Sequence, residues 1–153
     1  MKMVIQRVLR AEVTVEDEVV GRIGGGLLVL VGLERGDGAP QLERAAHRLA
    51  TLRVFSDADG RMNRGLDEVG GAVLAVSQFT LAGSISKGRR PAFDRAMPGD
   101  EAQPMFDTFV ELLRAAGLTV ATGRFGALMQ VELVNDGPVT LIWEEAPTES
   151  CEC

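Results

Sequence analysis

At 153 residues, with 46% hydrophobic and 25% charged content, the chain has the size and balance of one ordinary globular domain. Its longest apolar run, Leu27 to Leu33, is interrupted by Gly32 and is far too short to cross a bilayer as a helix. A net charge of −6 excludes a surface that is basic throughout, although nucleic-acid binding needs only a local basic patch.

No charged-then-apolar leader opens the chain, so it reads as cytoplasmic with no membrane anchor. Residues 3–9 read as a strand, and Glu12–Val15 with Val19–Ile23 as a hairpin around Asp17. Gly24-Gly25-Gly26 then turns the chain into a buried strand, Leu27–Leu33. A strand follows these glycines rather than a helix, so they are loop or bulge chemistry and not a dinucleotide loop. Pro40 suits the first turn of a helix. Leu42, Ala45, Ala46, Leu49 and Leu52 then recur on one helical face. Arg53–Phe55 continues as a short strand. The segment Ser56-Asp57-Ala58-Asp59-Gly60 lacks the acidic residue that would close a calcium loop and reads as a turn. After the strand Ala72–Val76, a second helix runs from about Glu101 to Ala116, with Met105, Phe106, Phe109, Leu112, Leu113 and Ala116 inward. Gly117 stops it in a left-handed conformation. Strands follow at Leu118–Thr122, Leu128–Val134 and Val139–Trp143, and Asp136-Gly137 between the last two is a hairpin signal. About eight strands to two helices predicts an α/β fold, with mixed sheet packed by helices on one side.

Beyond Trp143, the acids Glu144, Glu145, Glu149 and Glu152 stand without a basic residue, so residues 144–153 read as an acidic, disordered tail on a 1–143 domain. Setting these four aside leaves 16 basic against 18 acidic residues. Both cysteines, Cys151 and Cys153, lie in this tail, where they cannot staple a core. Without a partner histidine they make a poor metal site, and no metal is expected.

Side-chain chemistry is scarce. The chain has one histidine and no tyrosine. His47 falls roughly 100° or more from the apolar stripe of its helix, so it faces water. A Ser-His-Asp or Cys-His arrangement is therefore excluded as the expected machinery. What stands out instead are two segments that leave strands: Ser77-Gln78-Phe79-Thr80-Leu81 after Ala72–Val76, and Asn135-Asp136-Gly137-Pro138-Val139-Thr140 after Met129–Val134.

These two segments, in this order and separation and with Gly88-Arg89-Arg90-Pro91 and Gly123-Arg124-Phe125-Gly126 between them, resemble the D-aminoacyl-tRNA deacylases. The resemblance runs from Met1 to about Trp143. It implies mixed β-sheets packed face to face with helices on one side, a homodimer, no cofactor, and hydrolysis of the ester that joins a D-amino acid to tRNA. Ser77, Gln78, Phe79 and Thr80 are then the catalytic segment. Main-chain N–H groups at Phe79 and Thr80 can hold an oxyanion where the strand ends; alternatively the Thr80 hydroxyl is an acyl acceptor, though no base for it is visible. Ser77 and Gln78 would orient the ribose or base, and Phe79 would stack on the terminal adenine.

Only about 5–6% of X–Pro bonds in folded proteins are cis, so Gly137-Pro138 alone would be expected trans. The resemblance reverses this, because members carry a cis Gly-Pro whose carbonyls clamp the substrate amino group and whose backbone rejects an L side chain. Glycine, with no side chain, would also pass, as in glycyl-tRNA formed on the tRNA for alanine. The resemblance further implies that each Gly137-Pro138 turn enters the partner's site, that Arg7 holds it, and that Met129 lines the pocket. Gln6, Gly126 and Ala127 are given lesser roles in shaping it. Lys87, Arg89, Arg90 and Arg95 form the densest basic cluster, read either as tRNA phosphate contacts or as an ordinary solvated loop. The rivals are a stereoselective esterase for small amino-acid esters and a nucleic-acid-binding module that has lost hydrolysis.

Overall fold

The computed structural model describes residues 1–147. Its organising strand is β1 (Lys2–Val15), which pairs antiparallel with the C-terminal strand β8 (Gln130–Glu144) over nearly its whole length. It also pairs with β3 (Gly26–Gly32) through Lys2–Val8 and with β2 (Glu18–Ile23) through Ala11–Val15. The β1–β2 turn is Glu16-Asp17, with φ of 48° and 65°, the left-handed pair that a two-residue hairpin requires. β3 then pairs in parallel with β6 (Ala72–Ser77), and β6 with β7 (Thr119–Thr122).

Parallel neighbours need crossovers, and the two long helices supply them. The helix α1 (Ala39–Thr51) follows β3, and α3 (Gly99–Ala115) joins β6 to β7. Between α1 and β6 lie a small hairpin, β4 (Phe55–Ser56) with β5 (Met62–Arg64), and the single turn α2 (Leu66–Val69). In the β4–β5 turn the Asp57 carboxylate accepts the Arg61 and Asp59 amides at 2.9 Å each. These bonds, the Arg61 one foremost, hold its pKa below the usual carboxylate value. The turn chemistry expected there is what forms.

Two hydrophobic clusters occupy the two faces of this sheet. Leu27, Val29 and Val31 of β3, with Val73 and Ala75 of β6, pack against Leu42, Leu49, Phe109 and Leu113 of the helices. The alternate residues Leu28, Leu74 and Val76 face Val8, Ala11, Val13, Val15 and Ile23. Each fully buried Leu, Val or Phe contributes roughly 1.5–3 kcal/mol, so a strand buried on both faces is strongly placed. The second cluster exists because the sheet curls until β2 meets β7. At Gly21 a Cβ would stand 2.1 Å from the Thr122 carbonyl oxygen, so only glycine allows that approach. The result is the mixed α/β architecture anticipated, with the face-to-face packing supplied by one nearly closed sheet and the helices on one side.

Several local expectations change. Residues 3–9 and 12–15 belong to one strand, β1, whose pairing with β8 is irregular around Leu9. An extra residue there reverses which face the next side chains take, so Met3 and Ile5 join the helical cluster while Ala11 and Val13 join the other. Asp136-Gly137 is not a hairpin: the residues on both sides of it pair with the same strand β1, so the chain bulges outward and continues. Ala116 lies exposed beyond α3, while Ala102 and Val110 take inward positions. Leu52 is the extended cap of α1, not its last turn. At the C-terminal end β8 includes Glu144, and the Glu145 amide donates to the Met1 carbonyl at 3.0 Å while its carboxylate pairs with Arg44. Residues 144–147 thus pack on the domain, whereas Glu149, Cys151, Glu152 and Cys153 lie outside the described residues. Among the described residues no helix is long and apolar enough to cross a membrane.

Candidate active site

β6 is a buried parallel strand, and its last rung is the Gln78 amide donating to the Val31 carbonyl at 2.7 Å. Immediately after it the chain tightens into a 3-10 turn, Phe79–Ala82, closed by the Gly83 amide on the Thr80 carbonyl at 2.9 Å. The first amides of any helical turn have no partner inside it. Here these are Phe79 and Thr80, and neither amide has a hydrogen-bond partner among the described residues. The Gln78 side-chain amide donates to the Thr80 hydroxyl, which fixes both over the strand end.

Beside this turn opens a pocket of about 520 Å³. Ser77, Gln78 and Phe79 form one wall, Phe125, Gly126, Ala127 and Met129 another, and Leu33, Met97 and the start of α3 complete it. No ionisable side chain lines it among the described residues. His47 is exposed on α1, next to Trp143 and Glu145 rather than at this pocket. Among the described residues, no three His, Cys, Asp or Glu side chains are grouped to hold a metal ion. Phe79 is 56% exposed, and its ring meets that of Phe93 edge to face, with centroids 5.2 Å apart. Phe93 escaped the sequence reading because a phenylalanine after a basic loop carries no periodic signal.

The second segment lies apart from this pocket. Gly137-Pro138 has a cis peptide bond and projects from β8 where that strand bulges past Arg7. The Arg7 Nε donates to the Asp136 carbonyl at 3.2 Å and stands 3.2 Å from the Asp136 carboxylate. Its Nη1 reaches the Val54 carbonyl at 2.6 Å. Asn135 closes the base of the loop: its Oδ1 accepts the Val139 amide at 3.2 Å and its Nδ2 donates to the Thr140 hydroxyl at 2.9 Å. Gln6 donates to the same hydroxyl at 3.2 Å. The polar residues flanking Gly137-Pro138 therefore hold its loop from both sides, a role for Asn135 and Thr140 that their hairpin-like spacing concealed.

Within one chain, then, the structure brings Ser77, Gln78, Phe79 and Met129 together and leaves Gly137 and Pro138 outside the pocket they form. Thr80 lies on the adjoining turn. Lys87, Arg89 and Arg90 are exposed on the loop that follows, with no ion pair or hydrogen bond among the described residues. Arg95, expected as their companion, differs: its guanidinium is 3.1 Å from the Glu34 carboxylate.

The family described as D-Tyr-tRNA(Tyr) deacylase matches residues 4–144. The chain belongs to the D-aminoacyl-tRNA deacylase family. A D-aminoacyl-tRNA deacylase of Symbiobacterium thermophilum is 55% identical over 148 residues, 97% of this chain and 98% of the relative. Another, from Syntrophotalea carbinolica, is 55% identical over 142 residues, 93% of this chain and 95% of the relative. A solved structure described as c-Myc DNA Unwinding Element Binding Protein superposes with a TM-score of 0.89 at 41% identity, covering 95% of this chain and 99% of that one. A probable eukaryotic D-amino acid tRNA deacylase shares the fold, with a TM-score of 0.79 at 21% identity over 93% of this chain and 97% of its own. A function must therefore be built here without a histidine or carboxylate in the pocket wall.

Proposed function

We propose that this chain, an ester hydrolase of the deacylase family, cleaves the bond between a D-amino acid and the 3′ end of tRNA with main-chain groups in place of a side-chain base. The observation that carries this reading is the pocket without ionisable walls, bordered by the unengaged amides of Phe79 and Thr80. An aminoacyl ester is already reactive, so positioning and oxyanion stabilisation are what an enzyme must add. One well-placed donor lowers the barrier by about 3–4 kcal/mol. Water, aligned directly or through the ribose 2′-hydroxyl, adds its oxygen to the carbonyl carbon. The ester C–O bond then breaks, the 3′-oxygen takes a proton, and free tRNA and D-amino acid leave. Ser77 and Gln78 orient the ribose or base, and the exposed ring of Phe79 stacks on the terminal adenine. No cofactor enters this scheme, and its setting is the cytoplasm.

Chirality is screened by the Gly137-Pro138 turn of a second copy. Three observations support a homodimer built this way. The turn stands outside its own chain's pocket. Within the described residues β8 pairs only with β1, leaving its other edge free. Apolar side chains are exposed on and beside it, Leu9, Leu128, Val134, Leu141 and Ile142, the last 71% exposed. A backbone wall meets an L side chain and leaves room for a D one, and glycine passes, including glycine on the tRNA for alanine. The deciding assay is hydrolysis of matched D- and L-aminoacyl-tRNA by one preparation with chelator present; equal rates on both would remove the stereochemical claim.

Two variants probe the parts. Thr80→Ser keeps full activity, and Thr80→Ala loses roughly tenfold or less, against the ~10⁴-fold or greater loss that follows removal of a nucleophile. An acyl group trapped on Thr80, with the alanine variant inert, would replace the amide mechanism by a covalent one. Arg89 and Arg90 face solvent unpaired, and changing both to alanine weakens tRNA binding and lowers its salt slope by about two, one per phosphate contact. The D over L preference survives, because these charges hold the RNA and do not inspect the amino acid. A salt slope equal to that of the unaltered chain would leave the cluster a solvated loop.

A further inference from the structure

The chemistry above leaves two buried acids, Glu34 and Asp37, without a role. Glu34, two residues beyond the end of β3 and next in sequence to Leu33 of the pocket wall, is 2% exposed. Its Oε2 is 3.5 Å from the Met1 ammonium, which also lies 2.8 Å from the Asp37 carboxylate. Asp37 in turn accepts the Glu34 amide at 2.7 Å. The other oxygen, Oε1, faces Arg95 at 3.1 Å and Lys2 at 3.9 Å. Backbone contacts run in parallel with these charges. Glu34 and Ala96 form an antiparallel bridge, the Arg35 amide donates to the Arg95 carbonyl at 2.9 Å, and the Met97 amide donates to the Leu33 carbonyl at 3.1 Å.

These contacts stitch the returning end of the loop that carries Lys87, Arg89 and Arg90 to residues 33–35. The loop is crossed by the Ser84–Ala92 pair, and Phe93 leans on Phe79 of the site. Its cations are thereby divided: Arg95 is paired to a buried carboxylate, and the other three are unpaired among the described residues. Oε1 is buried and has no hydrogen-bond partner among the described residues, so charge attraction ties the Arg95 guanidinium to it. A loop fixed before binding loses less freedom when RNA arrives.

We propose that Glu34 is a positioning residue, which through Arg95 sets the loop that presents Lys87, Arg89 and Arg90 to tRNA. This rests on the deacylase reading. Glu34 is buried and cannot touch RNA, so any effect on tRNA engagement passes through the loop. Glu34→Gln keeps the volume and the backbone bridge while removing the charge. Its KM for a D-aminoacyl-tRNA should rise roughly five- to tenfold with kcat within about twofold, as expected for lost preorganisation. Hydrolysis of a D-aminoacyl-adenosine, which lacks the phosphates the loop meets, should stay unchanged. Arg95→Gln should reproduce this, and the double variant should be no worse than Glu34→Gln, because the Glu34–Arg95 contact is already lost in that single variant. Hydrogen exchange at the Ser84 and Ala92 amides should accelerate in both variants, with Phe109 and Leu113 amides unaffected.

The exchange arm needs no substrate and so separates two failures. Wild-type protein that leaves D-aminoacyl-tRNA intact would defeat the deacylase reading, with faster loop exchange still upholding Glu34 as the anchor. Unchanged loop exchange in both variants, or an equal kcat loss on tRNA and adenosine esters, would overturn the proposal. Additive losses in the double variant would do the same. Should Glu34→Gln not fold, Arg95→Gln decides the matter through exchange and the KM split, since the Arg95 side chain is 66% exposed.

Discussion

Gly137→Ala is expected to lower kcat/KM for D-aminoacyl-tRNA by about 100-fold or more while the protein still melts cooperatively, because a displacement near 1 Å at a reacting site costs about that much. Gly137 has a φ of +125°, which an L side chain rarely adopts. An alanine Cβ would stand 2.9 Å from Val139 Cγ2, 3.1 Å from the Val139 nitrogen and 3.2 Å from Arg7 Nη2. The loop cannot relax freely, since Arg7 holds one side and Asn135 the other. Strain of roughly 1–3 kcal/mol results, and the turn moves. Neither hydrophobic cluster includes Gly137 or Pro138, so the loss of stability stays within that strain. Thermal melts alongside single-turnover hydrolysis check both halves. Activity within fivefold of wild type, in a variant with an unaltered melt, would take the turn out of the site.

The interior was legible because it is periodic. Leu27–Leu33 and Ala72–Val76 read as buried strands and are paired on both sides, and the helical stripe of Leu42, Ala45, Ala46 and Leu49 packs as its spacing requires. What periodicity cannot carry is the partner. Asp136-Gly137 has the local chemistry of a reversal, but whether a chain reverses or bulges depends on what pairs with each arm, and here one strand, β1, pairs with both. The Leu9 irregularity has the same origin: only pairing with β8 shows that the faces of β1 exchange. The Ser77–Thr80 and Gly137-Pro138 segments were found as strand exits, and the family resemblance supplied their meaning. Glu34 and Asp37 look solvated in the sequence, as isolated acids in a loop do, and their burial follows from Met1 docking against them.

On the proposed cross-subunit reading, a chain lacking the Phe79 amide and a chain with its turn displaced should rescue each other. Phe79→Pro deletes one unengaged N–H, at the first position of a 3-10 turn where proline is tolerated. Gly137→Ala disturbs the screening turn. Each homodimer alone is defective at both sites. In a mixed dimer, the chain with intact Phe79 receives the intact turn of its partner, and the other site collects both defects. Two-fold symmetry requires this, since a turn that reaches across one way must also reach back. Random assortment makes half the dimers mixed, so about a quarter of wild-type hydrolysis should return after co-refolding. A turn acting on its own chain gives the opposite result, because every site in the mixture keeps one defect. The measurement is D-aminoacyl-tRNA hydrolysis by the co-refolded variants, with mixed dimers verified by differential tags. Activity no higher than the average of the two separate variants, in a preparation where mixed dimers are present, would confine each turn to its own subunit and end the cross-subunit reading.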